Sequence, residues 1–256
     1  MRAIASMVRE MLLELLRKKD FYVLFILMLV LFGLLSAQTF FDIEGISRYM
    51  RDFGYTLVML LSFIVCVTFS ARQIPSEIES GTIYPLLAKP VSRSMLVLGK
   101  FWGAVVISVI TFTLYFGVFV LFCFTEAGRA EVVLLMQSFL FGIMFLSVVS
   151  ALTVFFSVFL TTSANVAITF LIYFFVISFS DLLRDAVLAG KGIASVGFGI
   201  IYYLLPHFDF FDLRVRITHA WDPLPLWVVV AVTAYTVVYC AGLLFFAGRI
   251  FGRKKL

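Results

Sequence analysis

Residues 132–180 contain no Asp, Glu, Lys, Arg or His. About 20 consecutive apolar residues suffice to cross the hydrocarbon of a bilayer, so this run is two crossings long and the chain must reverse within it. The reversal is expected at Thr161-Thr162-Ser163-Ala164-Asn165, where small polar residues can form a tight turn. Spans four and five are therefore predicted at about 132–160 and 165–180. The remaining apolar runs give spans at about 21–39, 53–71, 96–123 and 225–247. With hydrophobic residues at 63% and charged residues at 14%, the chain is far from the roughly one-quarter charge of soluble domains. Its mean hydropathy of +1.11 agrees. The fold class expected is an all-α membrane protein, one domain over 1–256 with six transmembrane helices.

Residues 1–19 read as an amphipathic interfacial helix. Ile4, Val8, Met11, Leu12, Leu15 and Leu16 recur at helical spacing, with Arg2, Arg9, Glu10, Glu14 and Arg17 opposite. A cleaved leader fits poorly, because the apolar run that follows is too long and Leu35–Ala37 is a poor cleavage site. Six spans put both termini on one side. That side, with segment 72–100, carries Arg2, Arg9, Arg17, Lys18, Lys19, Arg72, Lys89, Arg93, Lys100, Arg249, Arg253, Lys254 and Lys255. The other side holds only Arg48, Arg51, Arg129, Arg184, Lys191, Arg214 and Arg216, so both termini are expected to be cytoplasmic. Cys66, Cys123 and Cys240 stand singly in or beside apolar runs, which suggests neither a disulfide framework nor a zinc site. Gly99 and Gly103 form a GxxxG at the head of span three, a spacing that permits close helix approach.

The polar interruption Arg72–Lys100 lies between two spans and must face water. Ser76 and Glu79 match a capping box with Pro75 just outside, so a short helix is predicted to start near Glu77. Gly81 weakens it, and Pro85 and Pro90 stop it. The string ESGTIYPLLAKPVSR, followed by GK, closely resembles the cytoplasmic segment of ABC-2 type transporter permeases. The matching positions are Glu77, Gly81, Thr82, Leu86, Leu87, Pro90, Ser92, Arg93 and Lys100. The resemblance implies a coupling helix in segment 72–95 that docks on a separate cytoplasmic ATPase subunit, which binds ATP and Mg; no cofactor is implied in this chain. The implied coupling set is Glu77, Glu79, Gly81, Thr82, Leu86, Leu87, Pro90 and Arg93, with Glu77 and Glu79 facing basic residues of the ATPase. A second permease copy, as homodimer or heterodimer, and a bacterial-type cytoplasmic (inner) membrane are implied too. The motif and the region after span five are similar to the subgroup associated with multi-copper enzyme maturation.

Several functions are excluded on physical grounds. Ion-coupled transporters need ionisable or ion-coordinating groups at membrane depth, and the predicted spans carry essentially none. No GxxxxGK[ST], HExxH or GxSxG occurs, so neither a phosphate-cradling loop nor a zinc or serine hydrolase site is encoded. A transporter of this kind must draw its work from another polypeptide. The scarcity of charge on the spans favours a hydrophobic or amphipathic cargo. Segment 181–224 is expected to form an outer cap, with the run from Ile193 folding back or lying along the interface because it is too short to span. Permeases of the family commonly carry short outer helices there. His207, Asp209 and His219 are weak metal-ligand candidates, with Asp212 and Asp222 nearby. A metal-handling protein using 207–222, or an ATP-independent scaffold, are the competing readings.

Overall fold

The computed structural model describes residues 19–37, 46–79, 93–125, 132–189 and 202–253, with Met11 and Gly199 as isolated positions. Its helices are α1 (Lys19–Ala37), α2 (Ile46–Ala71), α3 (Pro75–Glu79), α4 (Arg93–Thr125), α5 (Val132–Ser157) and α6 (Thr162–Ala189). They are followed by a 3-10 turn (Phe208–Phe211), α7 (Arg214–His219) and α8 (Leu226–Arg253), and there is no strand among the described residues. Hydrocarbon offers no partner to a backbone N–H or C=O, so an apolar run closes its hydrogen bonds on itself as a helix. The hydroxyls in these runs do not interrupt that pattern. Ser108, Ser147 and Thr153 donate to the carbonyls of Ala104, Ile143 and Val149, one turn back, at 2.7–2.8 Å.

Among the described residues, five helical stretches are long and apolar enough to cross a membrane, Arg48–Glu79 (α2 with α3), Ser94–Phe124, Val132–Ser157, Thr162–Ser180 and Leu226–Arg253. The expected first span falls in α1, whose apolar part Phe21–Leu35 is a shorter helix. Two boundaries differ from the sequence reading. The reversal predicted at Thr161–Asn165 falls at Val158–Thr161 instead, and α6 begins at Thr162. Asn165 is drawn into the helix because its amide has work inside: it donates to the Thr153 carbonyl at 3.0 Å and to the Ala71 carbonyl at 3.5 Å, joining α5, α6 and α2. The cap was predicted to start at 181, but α6 continues to Ala189 before it. The run from Ile193, apart from Gly199 and Tyr202–Leu205, and the amphipathic segment, apart from Met11 and Lys19, lie outside the described residues.

Helices α2, α4 and α5 pack on one another at the centre. α8 lies against α4 and α5, α6 against α5 and α2, and α1 against α2 and α4. Aromatic rings fill the centre, including Phe112 stacked on Phe139 and Phe63 stacked on Tyr173 with ring centroids 5.5 and 4.1 Å apart. Two glycines make this packing possible. The Phe112 ring occupies the space that a Cβ on Gly142 would need, so α4 and α5 meet ring against backbone. Gly103, of the GxxxG pair, forms a notch that holds the Met11 side chain. Gly142→Leu is expected to lower stability by about 1–3 kcal/mol through overpacking. Thermal unfolding in detergent measures it, and Gly242→Leu, where no atom lies near the added Cβ, is the control.

Candidate functional site

The turn between α2 and α3 is built by a complete set of donors. A helix end leaves its last carbonyls without backbone partners, and in an apolar setting each needs another donor. The Arg72 Nε–H donates to Thr68 O at 3.0 Å and the Gln73 amide to Phe69 O at 3.3 Å. The Gln73 N–H bonds Ser70 O at 3.3 Å, Asn165 reaches Ala71 O, and the Ser76 hydroxyl donates to Arg72 O at 2.6 Å. Every carbonyl from Thr68 to Arg72 is thereby engaged, which makes the turn a stiff elbow. The capping box expected of Ser76 and Glu79 is not formed in the expected way. The helix starts at Pro75 instead, since proline lacks the N–H that a first helical residue would leave over, and Ser76 points back into the turn.

The elbow is clamped to the bundle twice. Ile74 is fully buried in a small apolar cluster with Leu96 and Val97 of α4, Val154 of α5, Val158, and Ala247 and Phe251 of α8. Beside it, the Lys100 ammonium donates to Glu77 Oε1, with side-chain exposures of only 9% and 19%. The sequence reading sets Glu77 against a basic residue of an ATPase; in the structure its basic partner is Lys100 of its own chain. Glu79 is exposed at the end of α3, and Arg93 opens α4. Gly81, Thr82, Leu86, Leu87 and Pro90 lie outside the described residues. What sequence reasoning missed was the pairing itself. The available signal was opposite charges 23 positions apart on either side of a turn.

The opposite end of the bundle carries a second polar cluster. The Arg214 Nε lies 3.4 Å from Asp52 Oδ1 and 3.9 Å from Asp212 Oδ2, and the Thr218 hydroxyl donates to Asp52 Oδ1 at 3.3 Å. These contacts fix α7 on the first turns of α2. The metal candidates are not brought together. The His207 ring stacks on Phe210 with centroids 5.2 Å apart and lies against Tyr235, whereas His219 Nδ1 contacts the Val215 carbonyl at 3.0 Å. No group of three or more His, Cys, Asp or Glu capable of holding a metal occurs among the described residues. A pocket of about 300 Å³ lies under this end, walled by Tyr55, Tyr173, Phe208 and Phe211 with Asp209 and Asp212 at its edge.

Helices long and apolar enough to cross a bilayer, joined near one end by a charge-clamped turn, define a polytopic membrane protein. The sequence model of the ABC-2 family transporter proteins matches residues 8–256, so the chain belongs to that family. A search of the curated proteins gives no match. Membership implies the membrane component of an ABC transporter, working with an ATPase subunit.

Burial among the rings around it lowers the His207 pKa from 6.5, with the Asp209 charge and the Leu205 backbone opposing it. A histidine with a depressed folded-state pKa favours the folded form when neutral. Its stabilising effect is complete above pH 6.5 and is lost as pH falls through the lower folded value. Thermal unfolding followed from pH 7.5 downwards should therefore show a loss of stability below pH 6.5 that His207→Gln reduces.

Proposed function

We propose that this chain is the six-span permease subunit of an ATP-driven exporter of a hydrophobic or amphipathic substrate, energised through the α2–α3 elbow. The observation that carries the reading is the double clamp at that elbow. The Glu77–Lys100 pair and the Ile74 cluster tie α3 to α4, α5 and α8 together, so a push on the elbow is delivered to three long helices at once. In this reading the ATPase meets the elbow segment, with Glu79, Arg93 and the Gly81–Pro90 stretch as its contact set. Glu77 then acts as the internal strut. The chain hydrolyses no ATP, and ATP and Mg reside on the partner. Two permease copies, both termini and the elbow on the cytoplasmic side, complete the assembly. α1 serves as the sixth span: its 19 residues reach about 28 Å, close to the roughly 30 Å of hydrocarbon. A hydrophobic or amphipathic cargo is supported by the buried polar side chains of the described helices, which are mostly hydroxyls, with Lys100 and the amides Gln73 and Asn165 gathered at the elbow end.

The test is charge exchange at the strut. Lys100→Met and Glu77→Gln are each expected to cost on the order of 2 kcal/mol in stability and to uncouple the ATPase, seen as lost stimulation of ATP hydrolysis by the reconstituted permease. The double variant Glu77→Lys with Lys100→Glu is expected to recover most of both. Full transport by the purified chain without an ATPase partner, or a purified complex with none, refutes the reading.

A further inference from the structure

A groove of about 590 Å³ runs between α4 and α8, on the side of the bundle away from α1, α2 and α6. Its walls are Leu98, Trp102, Val237 and Phe245, each 40–62% exposed to the surroundings. Ser147 and Thr236 lie along its floor, but each spends its hydroxyl proton on its own helix, at Ile143 O and Val232 O, both 2.8 Å away. The floor thus offers water little to bond. The two helices converge at one end, where Ser94 Oγ lies 3.1 Å from the place a Cβ on Gly248 would take. Arg249 stands at that end, with its guanidinium 5.2 Å from the Phe245 ring, and among the described residues no carboxylate lines the groove.

Shape, length and charge all point to one occupant. An apolar trough at membrane depth holds no water and is filled by hydrocarbon. From Thr236 to Arg249 it follows about 20 Å of helix, against about 15 Å for the hydrocarbon of one leaflet. It therefore spans one leaflet and ends where phosphates lie. Arginine forms strong charge-assisted hydrogen bonds to phosphate, and basic pockets between transmembrane helices hold anionic headgroups. We propose that the groove between α4 and α8 binds one anionic phospholipid of the bilayer, an acyl chain along the groove and the phosphate on Arg249. This lipid is resident and distinct from the cargo, and the site stands whether or not the exporter reading holds.

The test uses Trp102 as reporter in the full chain, with Trp221→Phe and Trp227→Phe removing the other two tryptophans. The protein is reconstituted into phosphatidylcholine vesicles containing chain-brominated phosphatidylglycerol or, in parallel, chain-brominated phosphatidylcholine. Half-maximal quenching of Trp102 is expected at about a fivefold lower fraction of the anionic lipid, the preference one arginine confers near a charged surface. Arg249→Gln should make the two curves coincide. Ala241→Phe, which fills the groove, should weaken quenching by both lipids, whereas Leu171→Phe on the exposed face of α6 should change neither curve. If Ala241→Phe fails to fold, as judged by circular dichroism, the Arg249→Gln comparison decides alone. Equal quenching by both lipids in the parent protein, or a preference that survives Arg249→Gln, overturns the proposal. So does a Trp102 that neither lipid quenches, which would mean that a second copy covers the groove.

Discussion

An ammonium group cannot stand alone among apolar helices, and the arrangement of one end of this molecule follows from that constraint. Lys100 lies inside the first turns of a long helix, nearly out of contact with its surroundings. A carboxylate must come to it, and Glu77 does, brought round by the turn at Arg72–Ile74. Such a pair adds little net stability, since desolvating both charges offsets much of their attraction. What it confers is a defined position. α3 is five residues long and would not hold a helical shape alone. Anchored by one ion pair and one isoleucine, it keeps a fixed position on the bundle.

The two ends of the bundle use opposite strategies. At the elbow, the polar groups are gathered inward and the carbonyls of the turn are answered one by one. At the far end, Arg214 shares itself between Asp52 and Asp212 in a cluster whose side chains are each about half exposed. Exposed ion pairs of that kind contribute roughly 0–1 kcal/mol. The aromatic rings of His207, Phe210, Phe211 and Tyr235 hold the connecting segment more firmly than its charges do.

Much of this architecture was legible in the sequence, because membrane helices are written in hydropathy alone. The 132–180 run had to turn near its middle, and it does, within a few residues of the expected place. The error came from Asn165. Asparagine is a turn-former by local preference, but here it is bonded to carbonyls on two other helices, and such tertiary partners cannot be read from neighbours in sequence. Ser76 misled for the same reason: the cap-like spacing to Glu79 was real, but Arg72 O needed a donor more. The family was recognisable from the segment around the elbow. The strut within it was not, because the spacing of Glu77 and Lys100 shows no helical period and depends on how the chain folds back.

The uneven seating of the long helices has a further consequence. α2 and α5 are mostly enclosed by protein, whereas α6 and α8 expose most of their apolar surface, as at Leu171, Phe174, Val230 and Val238. Lipid tails solvate leucine and phenylalanine about as well as other side chains do. A peripheral helix can therefore trade a protein neighbour for an aliphatic one at little cost, while an enclosed helix cannot. Sequence drift that reshapes the outer ring would leave the central trio intact, so one inner frame can be re-clothed for different membranes.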